Sequence, residues 1–450
     1  MTKLLMVADA GKATGFEKVL RYVGTGLHKL GYDITVRGIG FEKEYDTKIQ
    51  YPFEVKETGG HRDDPIGVGN FDKWVEEDKP DIVWTVQDLW NIIGFSLFKK
   101  LDTPLVAYFP VDAPNMSFGN AWGLGAITEA VAYTQFGANE TAAGLRMAVD
   151  TLAARKPEVA DKELPWLMSR RMEREFYGRM DRYARYQNPK AFNIVPHGLD
   201  LGVYGYRDKQ TCRKDLRLPP DGFLVTYVAT NQFRKRQDLA LRGFAKHLQR
   251  HGNSWLVLHC ARDNGSGWDL AQLATLYGIR DRVILTHQTL GELTEDDLCS
   301  LYNAADANIN SSGGEGWGLP IFESAACYVP QIVPNWSATA ELWKDKAMLT
   351  DVADYRIEPR YGINTAHAVI STDHLSRQLT ELAISEATRL HWAKLALDNA
   401  KSQPKWDVVA DAFSKIIENA KLETAPRPYS LNQIRKLQEG TVTCQIANWL

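Results

Sequence analysis

The chain has 450 residues, 24% of them charged and 44% hydrophobic, with a net charge of -3. That is enough chain for two large domains with sizeable cores, and the composition excludes a collagen-like, disordered or disulfide-stapled protein. The near-neutral balance excludes a globally basic nucleic-acid binder but leaves room for a local basic patch. No stretch approaches 18 apolar residues, so no transmembrane helix is expected. The opening Met1–Val7 lacks a signal-peptide layout, because its apolar run is short and Asp9 interrupts it. Five scattered cysteines (212, 260, 299, 327 and 444) form no Cys-x-x-Cys and read as reduced thiols of a cytoplasmic protein.

Lys3–Ala8 reads as a buried strand, followed by a helix over Thr14–Leu30 with Phe16, Val19, Leu20, Val23, Leu27 and Leu30 on one face. Thr14-x-x-Glu17 has the form of a capping box, and Gly31 stands where a helix terminator is wanted. Ile34–Val36, Asp81–Thr85, Pro104–Phe109, Ala130–Thr134 and Phe192–Val195 read as further strands. A second series follows Pro196–Asp200: Leu224–Val228, Trp255–His259, Val283–Leu285, Ala307–Asn310 and Gln331–Pro334. Helices are expected within 375–402 and over 406–421. Apolar runs alternating with helices predict an α/β protein whose parallel sheets carry helices on both faces. The expected domains are 1–200, 201–403, and a closing helix and tail over 404–450 that crosses back to the first domain. Between Asn139 and Asn188 there is no strand signal, and a helical insertion is expected at about 150–187.

Several motifs lead nowhere. Gly24-Thr25-Gly26 lacks a third glycine and lies inside the first helix, so it is no dinucleotide fingerprint. Gly11-Lys12 is no P-loop, and no Gly-x-Ser-x-Gly elbow occurs. His247 and His251 are four apart without a metalloprotease frame and read as a solvated helix face. No Asp-x-Asp is present to hold a metal against a nucleotide diphosphate.

The richest stretch is Ser311–Glu323, a glycine loop between a strand and a helix. Its glycines let backbone approach a ligand closely, and the free N–H groups opening the helix favour an anion. Glu315 lies in the loop, positioned to accept hydrogen bonds from ligand hydroxyls, and Glu323 is expected about two turns into the helix. The second element is Thr230-Asn231-Gln232-Phe233-Arg234-Lys235-Arg236, also between a strand and a helix. Three cations at a strand's carboxyl end suit a diphosphate, on the edge where open α/β sheets bind ligands.

Glu315-x7-Glu323 within Glu-Gly-Trp-Gly-Leu-Pro resembles the Glu-x7-Glu signature of retaining glycosyltransferases of family four, whose two Rossmann-like domains facing a cleft are called GT-B. Val195–Asp200 is similar to that family's inter-domain segment, Asn231–Lys235 to its phosphate turn, and Gly15-Phe16-Glu17 to its glycine turn. The resemblance covers about residues 3–420. It implies that Arg234 and Lys235 bind the diphosphate, that Glu315 and the N–H groups of Gly316, Trp317, Gly318 and Leu319 hold the donor sugar, and that Glu323 binds ribose hydroxyls. Gly15 belongs to the donor side, and Asp112 stands near the family's His or Asp beside the donor sugar. Thr230 departs from the family's first phosphate-turn arginine, and the loop Thr286–Leu293 looks longer than usual.

The activity so implied is metal-independent, retaining transfer of a glucose-like hexose from a nucleotide sugar, UDP-linked or GDP-linked, with no cofactor. A sugar-nucleotide epimerase, a phosphorylase and a non-catalytic sugar-nucleotide-binding protein are the competing classes, and intact Glu315, Lys235 and Glu323 argue against the last. The second domain's wording is similar to glycosyltransferases of bacteriophages, which implies DNA modification in a host cytoplasm. The expected insertion carries Arg170, Arg171, Arg174 and Arg179 among aromatics. Cations interleaved with aromatics suit a phosphate backbone and exposed bases, so duplex DNA carrying a 5-hydroxymethylated pyrimidine is the expected acceptor, with a glycan, lipid or protein as alternatives.

Overall fold

The computed structural model describes residues 1–44, 49–62, 64–98, 103–114, 123–153, 184–260, 267–291, 293–360 and 363–422. The first sheet contains β1 (Lys3–Asp9), β2 (Asp33–Ile39), β3 (Glu54–Glu57), β4 (Ile82–Val86), β5 (Leu105–Phe109), β6 (Glu129–Ala132) and β7 (Asn193–Ile194). Their spatial order is β3-β2-β1-β4-β5-β6-β7, and every pairing is parallel. The second sheet contains β8 (Phe223–Val228), β9 (Ser254–His259), β10 (Val283–Leu285), β11 (Ala307–Ile309), β12 (Gln331–Pro334) and β13 (Met348–Thr350), in the order β10-β9-β8-β11-β12-β13, again all parallel. The α/β expectation of two doubly wound sheets holds. β4 and β5 are buried along their whole length, which is why Ile-Val-Trp-Thr-Val and Leu-Val-Ala-Tyr-Phe read as unbroken apolar runs rather than alternations. Each sheet reverses strand order once, between β1 and β4 and between β8 and β11.

Three strand features were not expected. β3 and β13 each form an edge strand. β14 (Val352–Arg360) and β15 (Ile363–Ile370) form an antiparallel hairpin after β13. On β15 Ala366, His367, Ala368 and Ile370 are buried, so burial does not strictly alternate, and with two alanines among them any period-2 signal is faint.

The helix Gly15–Lys29 begins on the Thr14 hydroxyl, which accepts from Glu17 N at 3.0 Å. Only this half of the capping box forms, because the Glu17 carboxylate accepts from Arg21 Nε at 3.1 Å and from Tyr51 Oη at 3.2 Å. The glycines inside this helix serve packing: a Cβ on Gly24 would stand 2.8 Å from the Phe53 ring, and one on Gly26 would stand 2.4 Å from Ala410 Cβ. Ala410 belongs to the closing helix, Trp406–Leu422, which lies against the first sheet. Its Phe413 ring meets Trp84 edge-on at 5.5 Å, and Trp406 stacks on Tyr22 at 5.0 Å. Helices Thr372–Ile384 and Glu386–Lys401 fill the interval before it.

His247 does not sit on a solvated face: it is buried, with its ring nitrogens 2.9 Å from Thr380 Oγ1 and from Ser254 Oγ. Cys212, Cys260, Cys299 and Cys327 are buried free thiols. Among the described residues no helix is long and apolar enough to cross a membrane. The helix Gln135–Ala153 is described, and the arginine-rich stretch expected to be inserted after it falls mostly at 154–183, outside the described residues.

The Gly26 contact gives a direct test. Gly26→Val is expected to destabilise the first domain by about 1–3 kcal/mol through overpacking against Ala410. Urea unfolding followed by tryptophan fluorescence measures it, and an unchanged midpoint would mean that the two helices do not touch there.

Candidate functional site

The two sheets present their carboxyl edges to one another, and the loops leaving those edges meet. Gly314 and Gly316 show how closely: a Cβ at Gly314 would lie 2.0 Å from the Asp112 carbonyl oxygen, and one at Gly316 would lie 2.5 Å from Pro110 Cβ. Only glycine lets the loop after β11 pass the loop after β5 at this distance.

Between them lies an ion cluster. Phe233–Lys235 forms a 3-10 turn after β8. The Lys235 ammonium donates to both Glu315 oxygens, at 2.7 and 2.8 Å. Arg234 Nε is 3.1 Å from Asp112 Oδ2, and its Nη1 is 3.5 Å from Glu315 Oε2. Asn310 Nδ2 donates to Glu315 Oε1 at 3.2 Å. Burial works against the Glu315 charge, but Lys235 and Arg234 outweigh it and hold the carboxyl down at about 2. Burial likewise opposes the Arg234 charge, and Asp112 and Glu315 more than offset it. The glycine loop is held by the Arg234 guanidinium, which donates to Gly314 O, and by bonds to uncharged groups. Gly313 N donates to Arg234 O, Ala368 N of β15 donates to Gly313 O, both at 2.8 Å, and Ser337 Oγ accepts from Glu315 N at 3.1 Å.

Glu323 is buried in the helix Leu319–Ala326, as its fifth residue and so just beyond one turn rather than two. Lys18 Nζ of the first domain lies 2.7 Å from its Oε1, and Tyr302 Oη donates to Oε2 at 3.1 Å. Lys18 also reaches Glu295 at 2.6 Å and the Tyr204 hydroxyl at 2.8 Å. Burial disfavours its charge, but Glu323, Tyr204 and Glu295 hold its pKa well above the usual lysine range.

The first sheet contributes carboxylates. Asp9 ends β1 and accepts from Thr14 Oγ1 and Gln87 Nε2, both at 2.9 Å. Asp88 follows β4 and is half-buried. Burial and then Asp112 push its carboxyl up to about 8, with Asp9 adding to the rise and Arg234 and Lys235 opposing it. Tyr133 follows β6, 5% exposed, and its hydroxyl has no hydrogen-bond partner among the described residues.

Of the residues singled out by sequence, Arg234, Lys235, Glu315 and Asp112 meet in one cluster, and Gly316, Trp317, Gly318 and Leu319 run from it into the helix that carries Glu323. Trp317 is buried 5.3 Å from the ring of His197, which in turn lies 2.6 Å from Tyr108 Oη. Gly15 opens the first helix with nothing within 4 Å of where a Cβ would stand. Thr286–Thr289 of the long loop forms a single helical turn. Arg170, Arg171, Arg174 and Arg179 lie outside the described residues. Sequence reading missed Lys18, Asp88 and Tyr133, single residues that only the strand order brings to the cleft. Among the described residues no three His, Cys, Asp or Glu side chains form a group that could hold a metal ion.

Residues 208–355 match the family described as Glycosyl transferases group 1. A D-inositol 3-phosphate glycosyltransferase of Acidothermus cellulolyticus is 28% identical over 213 residues, covering 45% of this chain and 46% of that protein. Another of the same name, from Salinispora arenicola, is 32% identical over 228 residues, covering 47% and 49%. The chain thus matches about half the length of these curated relatives. Among solved structures, Anabaena HepE in complex with UDP-glucose superposes with a TM-score of 0.65 at 15% identity, over 93% of this chain and 100% of that one. Sucrose-phosphate synthase from Thermosynechococcus elongatus gives 0.63 at 15%, over 93% and 99%. These likenesses establish the GT-B fold.

Asp88 makes the site's electrostatics measurable. Folded protein keeps the Asp88 proton up to about 8, whereas the unfolded chain loses it near 3.8. The folded state therefore binds more protons between these values, and its stability falls as pH rises through them. Asn does not titrate, so the melting temperature of Asp88→Asn relative to wild type is expected to rise steadily from pH 5 to pH 8. A difference that does not change with pH would contradict this.

Proposed function

We propose that the protein is a GT-B glycosyltransferase that moves a glucose-like hexose from UDP to a hydroxyl acceptor with retention of configuration. The observation that carries the reading is the buried Arg234–Lys235–Glu315 cluster, set on a glycine loop where the two sheets' carboxyl edges meet. The match of residues 208–355 to group 1 glycosyl transferases supports it, as does the UDP-glucose bound by the structural neighbour HepE. In the reaction the acceptor oxygen forms a bond to the anomeric carbon as the bond from that carbon to the diphosphate oxygen breaks. The acceptor proton passes to the departing diphosphate on the same face. Negative charge then grows on the diphosphate, where Arg234, Lys235 and the N–H groups of Gly316, Trp317, Gly318 and Leu319 leading into the helix stabilise it without a bridging metal. Glu315 faces the donor sugar, and Glu323 exchanges its Lys18 partner for the ribose hydroxyls.

The relatives' name points to a small cyclic polyol, inositol phosphate, in place of the hydroxymethylated DNA suggested by the arginine-rich stretch. We take a small hydroxylated molecule as the acceptor class.

Two measurements test the reading. Glu315→Gln keeps shape and removes charge, so transfer from UDP-glucose is expected to fall on the order of 100-fold in a folded protein. Wild-type turnover in that variant would remove the role. In calorimetry, Arg234→Ala and Lys235→Ala are each expected to weaken UDP binding by about 10- to 100-fold, the loss of one charge-assisted hydrogen bond, while uridine binds as before. Unchanged UDP affinity in both variants would make these cations purely structural.

A further inference from the structure

Beside the donor cluster, and sharing Asp112 with it, the edge of the first sheet carries a second set of groups. Asp9, Asp88, Asp112 and Tyr133 leave the carboxyl ends of β1, β4, β5 and β6, which are neighbours in the sheet. Asp9 is held in place by Thr14 and Gln87, and Asp112 by Arg234. The Asp88 side chain makes no hydrogen bond among the described residues. Tyr133 Oη is buried without a hydrogen-bond partner among the described residues, an unfavourable state for a hydroxyl. The Tyr133 ring packs on Tyr108 and His197 at 4.3 and 4.2 Å, and burial, with Tyr108, Asp88, Asp112 and Asp9 nearby, opposes ionisation of its hydroxyl.

We propose that Asp9, Asp88, Asp112 and Tyr133 form the acceptor subsite, and that it takes an uncharged polyhydroxylated molecule, a free sugar or cyclic polyol, in preference to its phosphate ester. The assignment rests on the glycosyltransferase reading above. Carboxylates and a phenol are the groups that vicinal hydroxyls pair with, since each hydroxyl both donates and accepts. Charge supplies the preference. The charged groups facing Asp88 are Asp112, Asp9, Arg234 and Lys235, and both cations are already shared with Glu315. With Asp88 holding its proton up to about 8, the three carboxylates Asp9, Asp112 and Glu315 stand against two cations before any diphosphate arrives. A phosphate on the acceptor would add negative charge where no free cation answers it among these groups, and like charge in a buried cleft is strongly disfavoured. The raised Asp88 carboxyl points the same way, as the neighbourhood already resists one more anion.

The test uses the full chain at saturating UDP. Binding of glucose, galactose, mannose and myo-inositol, and of a monophosphate of each, is followed by saturation-transfer NMR. At least one neutral compound is expected to bind at least about tenfold more tightly than its phosphate, a difference of about 1.4 kcal/mol. Asp88→Asn and Tyr133→Phe should each weaken that compound by about tenfold, with UDP affinity by calorimetry as the check that the cleft is intact. Phosphates that bind as tightly as their neutral parents overturn the proposal. So does wild-type affinity for the neutral compound in both variants, or UDP binding with no member of the panel bound. A protein that fails to bind UDP at all fails at the glycosyltransferase reading, and this assignment falls with it.

Discussion

The salt bridges of Arg234 and Lys235 with Glu315 and Asp112 are the constraint on which the site depends. Four ionised groups sit in a cleft with little water, and removing one partner of a buried pair typically costs about 3–5 kcal/mol. Such a cluster is stable only as a set. In the proposed reaction an anion that supplies more oxygens than Asp112 competes with it for Arg234, and Asp112 must then find another partner.

The same logic extends along the cleft. Lys18 answers Glu323 from the opposite domain and Tyr302 donates to its other oxygen, so this buried carboxylate is paired on both sides. The closeness of Gly314 and Gly316 to the 110–112 loop lets first-domain acids reach second-domain cations. The closing helix, seated on Trp84 and Tyr22 of the first domain, fixes where that domain stands after the chain has passed through the second. Around Arg234 the first sheet's edge supplies the acids Asp9, Asp88 and Asp112, and the second sheet's edge supplies Arg234 and Lys235 beside Glu315.

Much of this was legible in the sequence where the signal is local. Ser311–Glu323 and Thr230–Arg236 each carry strand, turn chemistry and helix start within about a dozen residues, so their pairing with sheet edges follows from pattern alone. Thr14 as a cap was legible for the same reason, but the second half of its capping box was not, because Arg21 and Tyr51 compete for Glu17. Asp88, Tyr133 and Lys18 could not be read, since each is one polar residue among ordinary neighbours and gains meaning only from the order of parallel strands. The hairpin β14–β15 escaped because its buried face is built on alanines. Its role is visible in space: Ala368 of β15 hydrogen-bonds the glycine loop at Gly313.

The central claim is that a nucleoside diphosphate takes the place at Arg234 and Lys235 now shared by Asp112 and Glu315. A crystal structure of the protein with UDP tests it most directly. The account predicts a diphosphate oxygen within about 3 Å of Lys235 Nζ, the length of a charge-assisted hydrogen bond, and Arg234 turned from Asp112 to the phosphate. UDP bound elsewhere, or bound here with the Arg234–Asp112 and Lys235–Glu315 pairs both intact, would contradict it.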